Sequence, residues 1–170
     1  VQLGAGTVND AARGLVLHGP PGIGKKYTAE ALCGSVGLDL LVADLAHLPV
    51  NSPSIKSLIA RVFREAHLRG AALYLEHVEV LMAEHEFAPS TRQTLLQAME
   101  AFHGPVFLGS SKPWRGATPK EAQYLVNFDF PRLDYSARRM LWRQLIQTSS
   151  SPDAVFEGEI ENITRKIQFT

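Results

Sequence analysis

Apolar runs and helical patterns alternate along the chain. Four short apolar runs have the length of buried strands, at residues 14–18, 38–43, 71–75 and 106–109. Helical spacing of apolar residues fills the stretches 27–36 and 54–69 and a third that opens at Pro89-Ser90 and stops at Gly104-Pro105. Because strands and helices alternate, the pattern predicts an α/β fold in which helices flank a parallel sheet.

The stretch from Ser54 to Arg69 has the clearest helical pattern. Its apolar residues recur at intervals of three and four, which places them on one face of a helix. These residues are Ile55, Leu58, Ile59, Val62, Phe63 and Ala66. We expect this face to pack on the sheet and Gly70 to end the helix.

The pattern changes after residue 130. Residues 124–130 alternate loosely and stop at Pro131, which predicts a fifth strand near an edge of the sheet. Asp134 is a candidate N-cap for a helix through Ile146, and a second helix is expected over 154–166. Two helices without strands are typical of a small lid. We therefore predict an α/β core over 1–132 and a partial helical lid over 133–170.

Composition narrows the classes of function. Seventeen basic residues balance seventeen acidic ones, so no global field favours nucleic acid or an anionic membrane surface. No apolar run has the length of about 20 residues that spans a bilayer. The single cysteine, Cys33, forms no intrachain disulfide, which fits a cytoplasmic protein. Neither a nucleic-acid partner nor a membrane is expected.

A glycine-rich segment lies between the first strand and the first helix. It matches the phosphate-loop pattern G-x-x-x-x-G-K-[ST] except at its last position, where Lys26 replaces the hydroxyl residue. Glycines allow backbone N–H groups to converge on an anion, and Lys25 would reach the β and γ phosphates. The candidate nucleotide-binding residues are Gly19, Pro20, Pro21, Gly22, Ile23, Gly24, Lys25, Lys26 and Tyr27.

The sequence Gly-Pro-Pro-Gly-Ile-Gly-Lys at 19–25 resembles the Walker A loop of AAA+ ATPases, a family of P-loop NTPases. The resemblance implies a three-layer fold with a five-stranded parallel sheet in the order 5-1-4-3-2, followed by a helical lid. It also implies ATP or ADP as cofactor and, usually, assembly into a ring. Lys26 offers no lone pair to Mg²⁺, so bound magnesium is not expected.

The resemblance places a Walker B pair at the end of the third strand. Glu76 matches the metal-binding aspartate, and His77 matches the catalytic glutamate. Glu76 would be a metal ligand only if Mg²⁺ bound; otherwise we predict no metal site. His77 is either a general base or a residue that merely lies at the strand end. With the family hydroxyl replaced, we expect Glu76 to pair with Lys26 or Lys25.

Other family positions are also altered. Ser111 aligns with the polar sensor-1 residue and completes the candidate catalytic set of Glu76, His77 and Ser111. The segment 119–123, where arginine fingers would lie, contains no arginine, and Arg115 is too near Ser111 for a match. Residues 48–53 lack the aromatic residue of a pore loop. His85 stands between two glutamates in a polar segment, where a solvated loop is favoured over a metal site.

Together these replacements favour a degenerate AAA+ module, similar to the inactive AAA domain of bacterial tandem-AAA proteins. It would bind nucleotide weakly or not at all, with little or no hydrolysis, and play a structural or regulatory part in a larger AAA+ protein. Its expected partners are another AAA+ domain of the same protein or ring neighbours. Two alternatives stay open: a competent ATPase that uses Glu76 and His77, and a scaffold without nucleotide.

Overall fold

The computed structural model describes residues 13–47, 54–82, 88–115 and 124–148, and the single residue Glu161. Its strands are β1 (Gly14–His18), β2 (Leu40–Asp44), β3 (Ala72–Glu76), β4 (Val106–Ser110) and β5 (Leu125–Asp129). Its α-helices are α1 (Lys25–Ser35), α2 (Ser54–Arg69), α3 (Ala88–Ala101) and α4 (Tyr135–Thr148). Short 3₁₀ helices cover Leu45–His47 and Val78–Met82.

The strands form one parallel sheet in the order β2-β3-β4-β1-β5. This is the predicted order read from the opposite edge, so the expected fold is confirmed. β5 lies at an edge, as its loose alternation indicated. The register sets Asp44 of β2 beside Glu76 of β3, and His18 of β1 beside Asp129 of β5. Polar side chains therefore gather where the parallel strands end.

Side chains that alternate along the strands supply two apolar layers. One layer joins β3 and β4 to α2 and α3, and its buried members include Ile55, Ile59, Phe63, Ala66, Leu73, Leu75, Leu95, Met99 and Leu108. The predicted face of α2 therefore packs as expected, with Leu58 and Val62 partly buried. The other layer lies against α1 and contains Leu17, Ala29, Cys33, Ala72, Tyr74 and Phe107.

Gly70 ends α2 as predicted. Its φ of 61° is left-handed, and its N–H donates to the His67 carbonyl at 3.1 Å. The N–H of Ala71 donates to the Ala66 carbonyl at 3.0 Å, which completes a Schellman motif. This cap reverses the chain directly into β3 and so fixes where the strand begins.

Contacts between Cα atoms divide the chain into two units. The first contains the described residues up to Gly19 and from Gly24 to Phe130, and the second contains Pro20–Ile23 and the described residues from Pro131. In the second unit, Asp134 caps α4 as predicted, because its Oδ1 accepts the Ala137 N–H at 2.7 Å. Of the helix expected over 154–166, only Glu161 is described, and it is helical. No described helix is long and apolar enough to cross a bilayer.

Candidate functional site

Gly19 begins the phosphate loop at a position that only glycine fits. Its N–H donates to the Ser110 carbonyl at 3.1 Å, which joins the loop to the end of β4. Its φ is 150°, and a Cβ added there would lie 2.3 Å from the Phe130 carbonyl oxygen. A side chain would therefore push the loop away from the end of β5.

Gly24 leads from the loop into α1. It is left-handed at φ 96°, and a Cβ added there would meet nothing within 4 Å. No side chain caps the helix, and no acidic residue lies in its first turn. The amide groups of this turn therefore keep their capacity for an anion, which the helix dipole also favours. The chemistry of this turn fits a phosphate group.

Lys25 turns back onto the loop. Its Nζ donates to the Gly19 carbonyl at 2.7 Å. Partial burial lowers the pKa of Lys25, while the carboxylates of Glu79 and Glu76 act in the opposite direction. Among the ion pairs that join described residues, none links Glu76 to Lys25 or Lys26. The expected direct pair is therefore corrected to a longer-range attraction, because the lysine uses a backbone carbonyl instead.

The donor set beside the loop does not fit Mg²⁺. Lys26 is exposed in the first turn of α1, and its ammonium has no lone pair for a metal. The next aliphatic hydroxyl in the helix is that of Thr28, and it donates to the Gly24 carbonyl at 3.0 Å. Tyr27 is 74% exposed. The remaining candidates Pro20, Pro21, Gly22 and Ile23 belong to the second unit.

β3 ends at Glu76, and the chain then turns sharply at His77. His77 has a φ of 59°, the positive value that glycine ordinarily adopts, and the described residues contain no other side-chain-bearing residue of this kind. Strand alternation places Tyr74 and Glu76 on the α1 face, so an extended His77 would point to the opposite face. The left-handed turn instead brings its Nδ1 to 2.7 Å from Asp44 Oδ1.

Asp44 is the partner that sequence reasoning missed. Burial raises the pKa of this carboxyl, but hydrogen bonds from His77 and the Ala46 N–H outweigh burial and leave the pKa lowered. An ionised carboxylate only accepts, so His77 Nδ1 carries the shared proton and Nε2 stays available. On the other oxygen, Oδ2, His47 Nε2 lies at 3.4 Å. The sequence did carry one sign of this role, because Asp44 lies at the carboxyl end of β2, the strand next to β3.

Ser111 lies on an exposed bend after β4. No hydrogen bond between described residues joins it to Glu76 or His77. Its neighbour Ser110 is buried, and Ser110 Oγ accepts the Lys112 N–H at 3.1 Å. The next turn is tied to β5, because Asn127 accepts the Trp114 N–H at 2.9 Å and donates to the Trp114 carbonyl at 3.2 Å. The Ser110 carbonyl also accepts the Gly19 N–H of the phosphate loop. Among the hydrogen bonds of the described residues, none joins Ser111 to that loop.

Three predicted features lie outside the described residues. They are the segment 119–123 without arginine fingers, the segment 48–53 without a pore aromatic, and His85 with its flanking glutamates. Arg115 is described and exposed. Within the described ranges the fold thus brings Glu76 and His77 to Asp44, and Lys25 to Gly19.

Comparison with known proteins agrees with the fold described above. Residues 15–119 match the family model for the "ATPase family associated with various cellular activities (AAA)". A solved structure reported as the structural basis for katanin self-assembly is similar at a TM-score of 0.63 and 17% identity, which shows a shared fold. That match covers 91% of this chain and 51% of the other, so this chain spans about half its length. With the family model covering more than half of the sequence, the chain belongs to the AAA family of ATPases.

Proposed function

We propose that this AAA domain is degenerate. It binds ATP or ADP weakly or not at all, hydrolyses little, and serves a structural or regulatory role in a larger AAA+ protein. The observation that supports this most directly is the absence of a metal-binding oxygen at Lys26, in the first turn of α1.

The loss of this oxygen affects binding as well as chemistry. Magnesium bridges the β and γ oxygens of a bound nucleotide and neutralises charge that develops there. Lys26 places a positive charge near the same position but cannot coordinate an ion. Lys25 is also engaged by the Gly19 carbonyl at 2.7 Å, so a nucleotide must displace that bond to reach the ammonium. The expected affinity is therefore low and independent of Mg²⁺.

The test restores the family ligands. A double variant with Lys26→Thr and Glu76→Asp should bind ATP at least about tenfold more tightly in Mg²⁺ than in EDTA, a difference of about 1.4 kcal/mol. Wild type should bind equally in both, as measured by calorimetric titration. Lys56→Thr, which removes an exposed lysine on α2, is the matched control and should behave as wild type. A double variant without a Mg²⁺ effect would contradict this account of the site.

A competent ATPase is the second candidate, and one observation favours it. The hydrogen bond of 2.7 Å from His77 to Asp44 fixes the tautomer, as a carboxylate does for a histidine that acts as general base. Steady-state phosphate release by wild type and by His77→Ala separates the two functions. We expect no turnover above background in either, whereas turnover of about 1 per second that is lost in His77→Ala would establish the enzyme.

The partner of such a domain would be another AAA domain. The similar katanin structure concerns self-assembly, and this chain covers about half of it, which is consistent with a module of a longer protein. If the domain is instead a scaffold without nucleotide, titration with ADP and ATP will give no heat in either Mg²⁺ or EDTA. A measurable affinity that is equal in both would favour weak nucleotide binding.

A further inference from the structure

Metal-ligating side chains converge at the carboxyl ends of β2 and β3. Asp44, Glu76 and His77 each offer one ligand atom, and these atoms lie within 4.8 Å of one another. His47, from the 3₁₀ helix after β2, places Nε2 at 3.4 Å from Asp44 Oδ2. The fold thus brings one imidazole and two carboxylates together, and His47 lies beside this cluster, at the other oxygen of Asp44.

The spacing is close to that of a coordination shell. Nitrogen and oxygen ligands bind Zn²⁺ at about 2.0–2.2 Å, so ligand atoms around one ion lie about 3–3.5 Å apart. The contact of 3.4 Å between His47 and Asp44 lies in this range. The contact of 2.7 Å between His77 Nδ1 and Asp44 is shorter because it is a hydrogen bond; an ion at Nδ1 would replace the shared proton, which the neutral ring can carry on Nε2 instead. The Glu76 side chain is partly exposed and can rotate to close the remaining gap.

The site is open to an entering ion. The side chains of His47, His77 and Asp44 are 86%, 44% and 30% exposed. Asp44 is held in place by the Ala46 N–H at 2.9 Å, and His77 is held by its backbone turn. Asp44 and His77 are therefore held in position before an ion arrives, and an ion can reach them from solvent.

The donors select the class of metal. Mixed imidazole and carboxylate ligands suit Zn²⁺ and other first-row transition metals, whereas Mg²⁺ prefers oxygen ligands and retains water. We propose that Asp44, Glu76 and His77 bind a divalent transition-metal ion such as Zn²⁺, with His47 as the fourth ligand. The ion would link the ends of β2 and β3, and its binding does not depend on the proposed loss of hydrolysis.

Calorimetric titration of the nucleotide-free chain with ZnCl₂ tests the site. We expect one ion per chain and at least about tenfold weaker binding after Glu76→Gln or His77→Gly. Glycine is the chosen replacement because the φ of 59° at this position suits it, so the ligand is removed without backbone strain. His47→Gln should also weaken binding; unchanged affinity in that variant would remove His47 from the ligand set.

Control variants identify adventitious binding by surface histidines. His67→Gln and His103→Gln change exposed histidines elsewhere and should leave the affinity unchanged. His85→Gln tests the histidine between two glutamates. Absence of a stoichiometric site, or equal affinity in wild type and His77→Gly, would overturn the proposal. So would a loss of binding in His85→Gln that His77→Gly does not show.

A second readout separates ligation from a change in folding. An ion that binds the native state raises the melting temperature. Zn²⁺ should therefore raise the melting temperature of wild type but not of His77→Gly, and Mg²⁺ should raise neither. Equal stabilisation of both proteins by Zn²⁺ would contradict the assigned ligands.

Discussion

At the scale of single residues, Tyr74 places a phenol inside the layer between the sheet and α1. The residue is fully buried, and its hydroxyl has no hydrogen-bond partner among the described residues. Burial raises the pKa of Tyr74, and nearby carboxylates, Glu76 first among them, add to the effect. The ring fits because Gly109 on β4 has no side chain, since a Cβ there would lie 2.3 Å from the Tyr74 oxygen.

Gly109→Ala should therefore destabilise the fold. The buried ring cannot move without disturbing the layer, and overpacking of this kind costs about 1–3 kcal/mol. Gly34→Ala is the matched control, because a Cβ there meets nothing within 4 Å and the position is helical. That variant should gain about 0.5–1 kcal/mol. Urea unfolding of wild type and the two variants measures both changes in the free energy of unfolding. If Gly109→Ala is as stable as wild type, the Tyr74 ring moves aside without loss of packing.

The contrast between Glu76 and Asp44 shows how much of the site the sequence predicts. The resemblance located Glu76 at the end of β3, because motif spacing and strand pattern agree there. It did not reveal Asp44, because the implied strand order sets β2 beside β3 but the contact also depends on the left-handed turn at His77. A backbone turn at a non-glycine residue has no local sequence signal. The contact between His77 and Asp44 therefore had to come from the structure.

At the scale of elements, the start of α4 depends on Asp134. Its carboxylate accepts the Ala137 N–H at 2.7 Å and the Ser136 hydroxyl at 2.8 Å. Asp134→Ala should lower the melting temperature and the helical circular dichroism signal, because the first turn loses its acceptor. Asp134→Asn keeps an acceptor and should lose less. Equal losses in the two variants would mean that charge, rather than capping, matters.

The same cap predicts that the stability of the fold depends on pH. The hydrogen bonds from Ala137 and Ser136 hold the pKa of Asp134 below its ordinary value of 3.8. A lowered folded-state pKa means that the carboxylate stabilises the fold above that ordinary value, and the contribution is lost as pH falls through the folded pKa. The Asn variant has no such group. Its stability should therefore fall less than that of wild type between neutral and acidic pH, and parallel curves would contradict the assignment.

Strands and helices were more predictable than the site because their signals are local. β1 and α2 begin and end at the predicted residues, since apolar runs and a C-terminal glycine mark them. α1 begins two positions before the predicted Tyr27, because Gly24 takes a left-handed conformation that lets the helix start at Lys25.

At the scale of the whole molecule, the proposed degeneration bears on assembly. AAA+ rings are joined partly through a nucleotide that arginine fingers contact across the interface. Residues 119–123 contain no arginine, and the nucleotide site is expected to be weak. The chain should therefore be a monomer or weak dimer in light scattering, with and without ATP and Mg²⁺. A stable hexamer without nucleotide would count against this expectation.

The strand order also has a consequence for how the chain acquires its structure during synthesis. β1 is made before the other described strands, yet both of its neighbours, β4 and β5, are made last among them. β1 therefore leaves the ribosome without a partner, and pairing of such distant segments is slow. The phosphate loop follows β1 directly, and its Gly19 N–H can donate to the Ser110 carbonyl only after β4 has been made. An anion at this loop could therefore stabilise the finished sheet but could not guide the early steps of its folding.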